Sequence, residues 1–134
     1  MQELASLYRS AQFYAHNSHN FSSGLSSLAD HKFFKEAYEA YTDAYDDLIE
    51  RMIGLGIKFD ILAITKSAAE SVSSHGEYNN DEECFKWLLE LEKIICVIIK
   101  KEVEFATDGT QNLLQGLADE SEKRQYKIQQ RLKS

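Results

Sequence analysis

Apolar residues recur along this chain at intervals of three and four, the period of a helix with one buried face. Leu4, Leu7, Tyr8, Ala11, Tyr14 and Ala15 carry the first such pattern and predict a helix over residues 3–20. The pattern breaks at Phe21-Ser22-Ser23-Gly24-Leu25-Ser26-Ser27, a small-residue turn. Ser27-Leu28-Ala29-Asp30 then reads as a capping box opening a second helix over residues 28–53. On a wheel of 100° per residue, Phe33, Ala37, Tyr41, Ala44, Tyr45, Leu48 and Met52 share one broad face. Glu36, Glu39, Asp43, Asp46, Asp47 and Glu50 fall on the other side as an acidic stripe. Gly54-Leu55-Gly56 supplies the stop.

Phe59, Ile61, Leu62, Ile64 and Ala68 predict a short connecting helix within residues 59–72. Residues 73–80, Ser-Ser-His-Gly-Glu-Tyr-Asn-Asn, read as a loop by composition. Asn80 followed by Asp81, Glu82 and Glu83 suits a cap with acids near the positive end of a helix dipole. The third long helix then runs to about residue 106 through Trp87, Leu88, Leu91, Ile94, Ile95, Ile98 and Ile99. The apolar run 94–99 also fits a buried strand, but its Glu- and Lys-rich helical flanks favour helix. Thr107-Asp108-Gly109 interrupts, and Leu113, Leu114, Leu117, Ile128 and Leu132 mark a fourth helix over 110–132. The pairs Asp119/Lys123 and Glu120/Arg124 support it. The expected fold is all-α: four long helices in a bundle, with a short extra helix between the second and third. No composition shift marks a boundary, so one domain over 1–134 is expected.

Composition removes several functions. The longest apolar run is far below the roughly 20 residues of a membrane span. The opening MQELASLYRS has no basic start followed by an apolar stretch, so no secretory signal is expected. Cys84 and Cys96 on one helix would stand about 18 Å apart, too far for a disulfide. Free thiols and no signal point to the cytoplasm. The net charge of −7 argues against a general nucleic-acid binder, which needs cations for phosphates.

His16 and His19 lie one turn apart, but the more specific constellation is His19, His31, Asp46 and Glu50. Asp46 and Glu50 stand at i, i+4, so both carboxylates share a face, and His with carboxylate suits iron, manganese or zinc. The plainer reading of these acids is a solvated face. His31 and Asp46 are about 22 Å apart along one helix and cannot share a metal within one chain. A two-fold axis setting two copies of the second helix antiparallel would bring one chain's His31 end to the other's Asp46/Glu50 end. The turn after His19 lets the first helix fold back, so His19 can approach His31.

The spacing resembles that of the Dps family of miniferritins, DNA-protection proteins with a ferritin-like bundle. Their pattern matches here at His19, Gly24, His31, Asp46, Glu50, Arg51, Leu55 and Gly56. Asp108, Thr110, Leu113-Leu114 and Glu122-Lys123 resemble the family's last helix, so the likeness covers nearly the whole chain. It implies a di-iron ferroxidase centre across a two-fold interface, with His19 and His31 from one subunit and Asp46 and Glu50 from its partner. It further implies a hollow dodecamer that oxidises Fe(II), preferably with hydrogen peroxide, and stores ferric mineral, so limiting oxidative damage. Glu36, Glu39, Asp43 and Asp47 then become candidate iron-nucleation ligands, with a generic solvated face as the plain alternative, and Glu104 and Asp108 candidate pore acids. Trp87 and the tyrosines read as core or interface residues.

Three positions depart from the family pattern. Asn20 stands where many members have tryptophan. Lys35 stands where an acid is common, and an ammonium is no ligand and repels a cation; His16, Asp30 or Asp47 are the candidates to compensate. Only a few residues precede the first helix, where DNA-binding members carry a lysine-rich tail. A dodecamer would carry about −84 charges, which argues against DNA binding. The alternative to a working ferroxidase is a nucleoid-binding or purely structural shell of the same family. A conventional ferritin centre uses Glu-x-x-His, and no histidine here has Glu three residues before it.

Overall fold

The computed structural model describes residues 1–76 and 78–133. Five helices follow one another: α1 (Gln2–Phe21), α2 (Ser27–Gly54), α3 (Ile61–His75), α4 (Asp81–Val103) and α5 (Asp108–Leu132). The fold is all-α, with no strand among the described residues, and the 94–99 run is helical. No described helix is long and apolar enough to cross a membrane.

The chain divides into two compact units. In the first, Met1–Cys84, α1 packs along α2 and α3. Its buried residues include Leu4, Tyr8 and Ala15 of α1, with Phe34, Tyr41, Leu48 and Met52 of α2 and Ile64 of α3. Asp60 caps α3 by accepting from the Leu62 and Ala63 amides at 3.0 and 3.1 Å. Ser6 Oγ donates to the Ile64 carbonyl, and the Asp60 amide donates to Gln2 Oε1, so the start of α3 is stitched to the start of α1. In the second unit, Phe85, Leu88, Ile95, Leu114 and Ile128 are buried. Thr107 caps α5, and Gln111 Nε2 donates to the Val103 and Ala106 carbonyls that α4 leaves orphaned.

The end of α2 shows why its glycines stand where they do. Gly56 has φ of +70°, its amide donates to the Ile53 carbonyl, and the Ile57 amide donates to the Met52 carbonyl. That is a Schellman motif, and its left-handed position favours glycine.

Four expectations need correction. The capping box at Ser27-Leu28-Ala29-Asp30 does not form. Ser26 is the N-cap, it makes no side-chain cap bond, and Asp30 is buried and bonded elsewhere. On α2 the fully buried phenylalanine is Phe34, while Phe33 is half-buried. Ser73, Ser74 and His75 belong to α3, which runs on to Gly76 at φ +85°. Finally, α4 ends at Val103 and α5 begins at Asp108, once Thr107 has capped it. Asn80 does cap α4, accepting from the Glu83 amide at 2.9 Å. Both cysteines are free. Burial pushes the Cys84 thiol up, against hydrogen bonds from Ser18 and Tyr14 that favour its thiolate.

Candidate metal centre

His19 sits in the last turn of α1, and His31 lies at the start of α2. Each imidazole is bonded to the other residue's backbone. His19 Nδ1 meets the His31 carbonyl at 3.0 Å, and His31 Nδ1 meets the His19 carbonyl at 2.8 Å. The rings stack at 3.7 Å between centroids, 27° from parallel. A carbonyl oxygen only accepts, so both Nδ1 atoms carry the proton. In the neutral ring this arrangement leaves the lone pair on Nε2, the form in which an imidazole binds a metal. A bond from Nδ1–H to a carbonyl also fixes the ring's orientation, the usual outer support of a metal-binding histidine. The His19 carbonyl is one of the orphans at the end of α1, so this clasp also caps the helix.

Two further rings extend the row. Tyr38 sets its edge against His19 at 5.5 Å, and His16 stacks on Tyr38 at 4.2 Å. Sequence reasoning left Tyr38 among core or interface residues. Its place two turns beyond His31, on the same side of α2, was the signal that could have found it.

The carboxylates lie elsewhere. Asp46 and Glu50 are exposed on α2, one turn apart. Fifteen residues separate His31 from Asp46, or about 22 Å of helix, so the chain does not bring the four together. Among the described residues no three His, Cys, Asp or Glu side chains are grouped to hold a metal. A single chain thus presents a histidine pair at one end of α2 and a carboxylate pair towards the other. Glu36, Glu39 and Asp43 are exposed between them, Glu36 at 4.0 Å from Lys32, and Asp47 is exposed next to Asp46. Lys35 is exposed one turn after His31.

Beside the clasp lies a polar cluster that the sequence did not reveal. Asp30 and Asp81 are both buried, and their side chains are hydrogen-bonded to each other. Asp81 also accepts from Ser22 Oγ and Tyr78 OH, each at 2.7 Å, and from the Ser23 amide at 3.3 Å. Burial opposes the Asp81 carboxylate, yet these bonds from Tyr78, Asp30, Ser22 and Ser23 outweigh it and hold its pKa below the ordinary value.

The ferritin-like domain profile matches residues 1–134. The chain belongs to the ferritin-like family. No curated protein matches it. Iron storage and ferrous oxidation are common in the ferritin-like family, whose members form oligomeric shells. Many ferritin-like proteins hold iron inside one bundle with Glu-x-x-His motifs. Here Glu92, the one buried glutamate among the described residues, is already engaged. Arg124 Nε lies 2.7 Å from its Oε1, and Ser121 Oγ donates to its Oε2. Glu92 is thus one half of an ion pair, with its oxygens committed to Arg124 and Ser121.

Proposed function

We propose that this protein is a Dps-like miniferritin. It oxidises Fe(II) with hydrogen peroxide at a site shared between two copies of the chain, and mineralises Fe(III) inside a dodecameric shell. The observation that carries this reading is the reciprocal clasp. Two imidazoles whose Nδ1 atoms are held by each other's carbonyls have Nε2 as the nitrogen left for a metal, at one helix end. Their natural complement, the Asp46/Glu50 pair, lies about 22 Å away on the same helix. An antiparallel two-fold pairing of α2 brings one copy's histidines to the partner's carboxylates.

The surface supports that pairing. Leu25 and Leu28 are 109% and 91% exposed near the start of α2, while Ile53, Ile57 and Leu62 are exposed around its end. Apolar side chains gathered at both ends of α2 suit a surface that a partner covers. The antiparallel arrangement sets the first group against the second.

In the chemistry, iron is the substrate. His19, His31, Asp46 and Glu50 bind ferrous ions and offset their charge. Two ferrous ions give one electron each to peroxide, whose O–O bond breaks, and two protons complete two waters. The protein supplies position and charge. Removing iron together with peroxide limits oxidative damage. The exposed acids Glu36, Glu39, Asp43 and Asp47 are hard oxygen ligands suited to seeding ferric mineral. We take 1–134 as a single domain, place it in the cytoplasm on its free thiols, and expect no DNA binding at ordinary salt.

Stopped-flow oxidation tests this reading. Metal-free protein is mixed anaerobically with Fe(II) and then with peroxide, or with dioxygen instead. Saturable ferric absorbance is expected with peroxide, faster than with dioxygen and faster than free iron. Oxidation no faster than free iron would leave a structural shell.

A further inference from the structure

The turn between α1 and α2 carries both halves of the histidine clasp, and it is short of its own support. Ser26 makes no side-chain cap on α2, and Ser22 ends α1 in an extended conformation, φ −50° and ψ 131°. Gly24 at φ +99° closes a single turn, with the Ser27 amide on its carbonyl at 3.2 Å. What holds this turn comes from residues far along the chain. Asp81, the first residue of α4, takes up Ser22 Oγ and the Ser23 amide. Tyr78 OH donates to the same carboxylate and lies 3.1 Å from Ser23 Oγ, while its ring stacks on Phe21. Asp30 closes the cluster from the α2 side.

We infer that the Asp30–Asp81 cluster is a latch that positions His19 and His31 for metal binding. The two constellations share a backbone. Ser22 and Ser23 of the latch follow His19 within one turn, and Asp30 immediately precedes His31. The clasp requires the His19 carbonyl to face the His31 ring, and the reverse, across the same short turn. Both latch carboxyls are buried, Asp30 at 2% and Asp81 at 4% exposure, so water cannot substitute for the partners they hold. A hydrogen bond between two carboxyl groups carries one proton, so an amide at position 30 can replace the donor, whereas a methyl group cannot. These are positioning residues: neither touches the metal. The inference rests on the reading of His19 and His31 as iron ligands.

The test compares Asp30→Asn, Asp30→Ala and His31→Ala with the wild type, each assembled and metal-free. The first readout is the ¹⁵N spectrum of selectively labelled histidine, which reports which ring nitrogen carries the proton. The second is anaerobic calorimetric titration with Fe(II). In the wild type and Asp30→Asn, His19 and His31 are expected as the Nδ1–H form, with matching ferrous affinity. In Asp30→Ala the signature should dissolve into mixed forms, and affinity should fall about 10- to 100-fold, as when outer supports of metal ligands are lost. An Asp30→Ala protein with wild-type spectrum and affinity overturns the latch. If wild type and His31→Ala bind iron alike, the ligand reading fails, and the ¹⁵N spectra still decide the latch. Should Asp30→Ala not fold, Ser22→Ala and Tyr78→Phe each remove one donor. A wild-type clasp in both would overturn the inference, and a weakened clasp in either would uphold it.

Discussion

Replacing His31 and Asp46 together with alanine is expected to bring peroxide-driven ferrous oxidation down to the rate of free iron. The expected loss is at least about 100-fold, because positioning and charge at the metal are the protein's whole contribution. Loss of His31 removes one Nε2, and it also frees the His19 carbonyl and unsettles the His19 ring stacked upon it. In the proposed shared site, loss of Asp46 removes a carboxylate from the partner half. Both positions are exposed in the single chain, so its helix content should remain as in the wild type. Retained helicity with lost oxidation separates a missing site from a missing fold. A double variant that still oxidises iron at the wild-type rate would place the chemistry elsewhere.

The second large effect concerns stability. Arg124→Ala is expected to cost about 3–5 kcal/mol, the usual consequence of leaving a buried charge unpaired. Glu92 is 1% exposed, and the Arg124 side chain is 13% exposed. Arg124 reaches Glu92 through Nε at 2.7 Å and a terminal nitrogen at 3.5 Å. Without it, the buried carboxylate retains the Ser121 hydroxyl, which is itself tied to Cys96 and Gln125. The double variant Glu92→Gln/Arg124→Met removes both charges, and much of the loss should return. Chemical denaturation followed by circular dichroism measures both. A loss below about 1 kcal/mol for Arg124→Ala would show that the pair is solvated in the working protein.

The helices were legible because each buries one stripe, and a 3.6-residue period reports that stripe directly. Boundaries were less so. Phe33 and Phe34 both fall within the broad apolar arc of α2, and packing against α1 decides which is buried. Ser73 and Ser74 resemble loop residues by composition, yet serine is tolerated in a last turn and Gly76 provides the stop. The histidine pair was legible as a spacing across a turn. Its reciprocal bonding was not, since a sequence does not say which carbonyl a ring nitrogen will find. Asp30 shows the limit most clearly. Its local context suggested a cap, but its partner Asp81 is far along the chain and reaches it through the fold. Likewise Arg124 read as the i, i+4 partner of Glu120, until packing of α4 with α5 within the second unit pairs it with Glu92.

Mixing single variants tests most directly whether each iron site is divided between two copies of the chain. His31→Ala chains keep Asp46 and Glu50, whereas Asp46→Ala chains keep both histidines. Each alone should be inactive. Unfolded together and reassembled at equal ratio, random pairing should restore one intact site in each mixed dimer, or about a quarter of wild-type sites. Recovery of about that fraction of peroxide-driven oxidation is the predicted result. A reassembled mixture as inactive as either variant alone, in shells shown to contain both chains, would contradict a shared site.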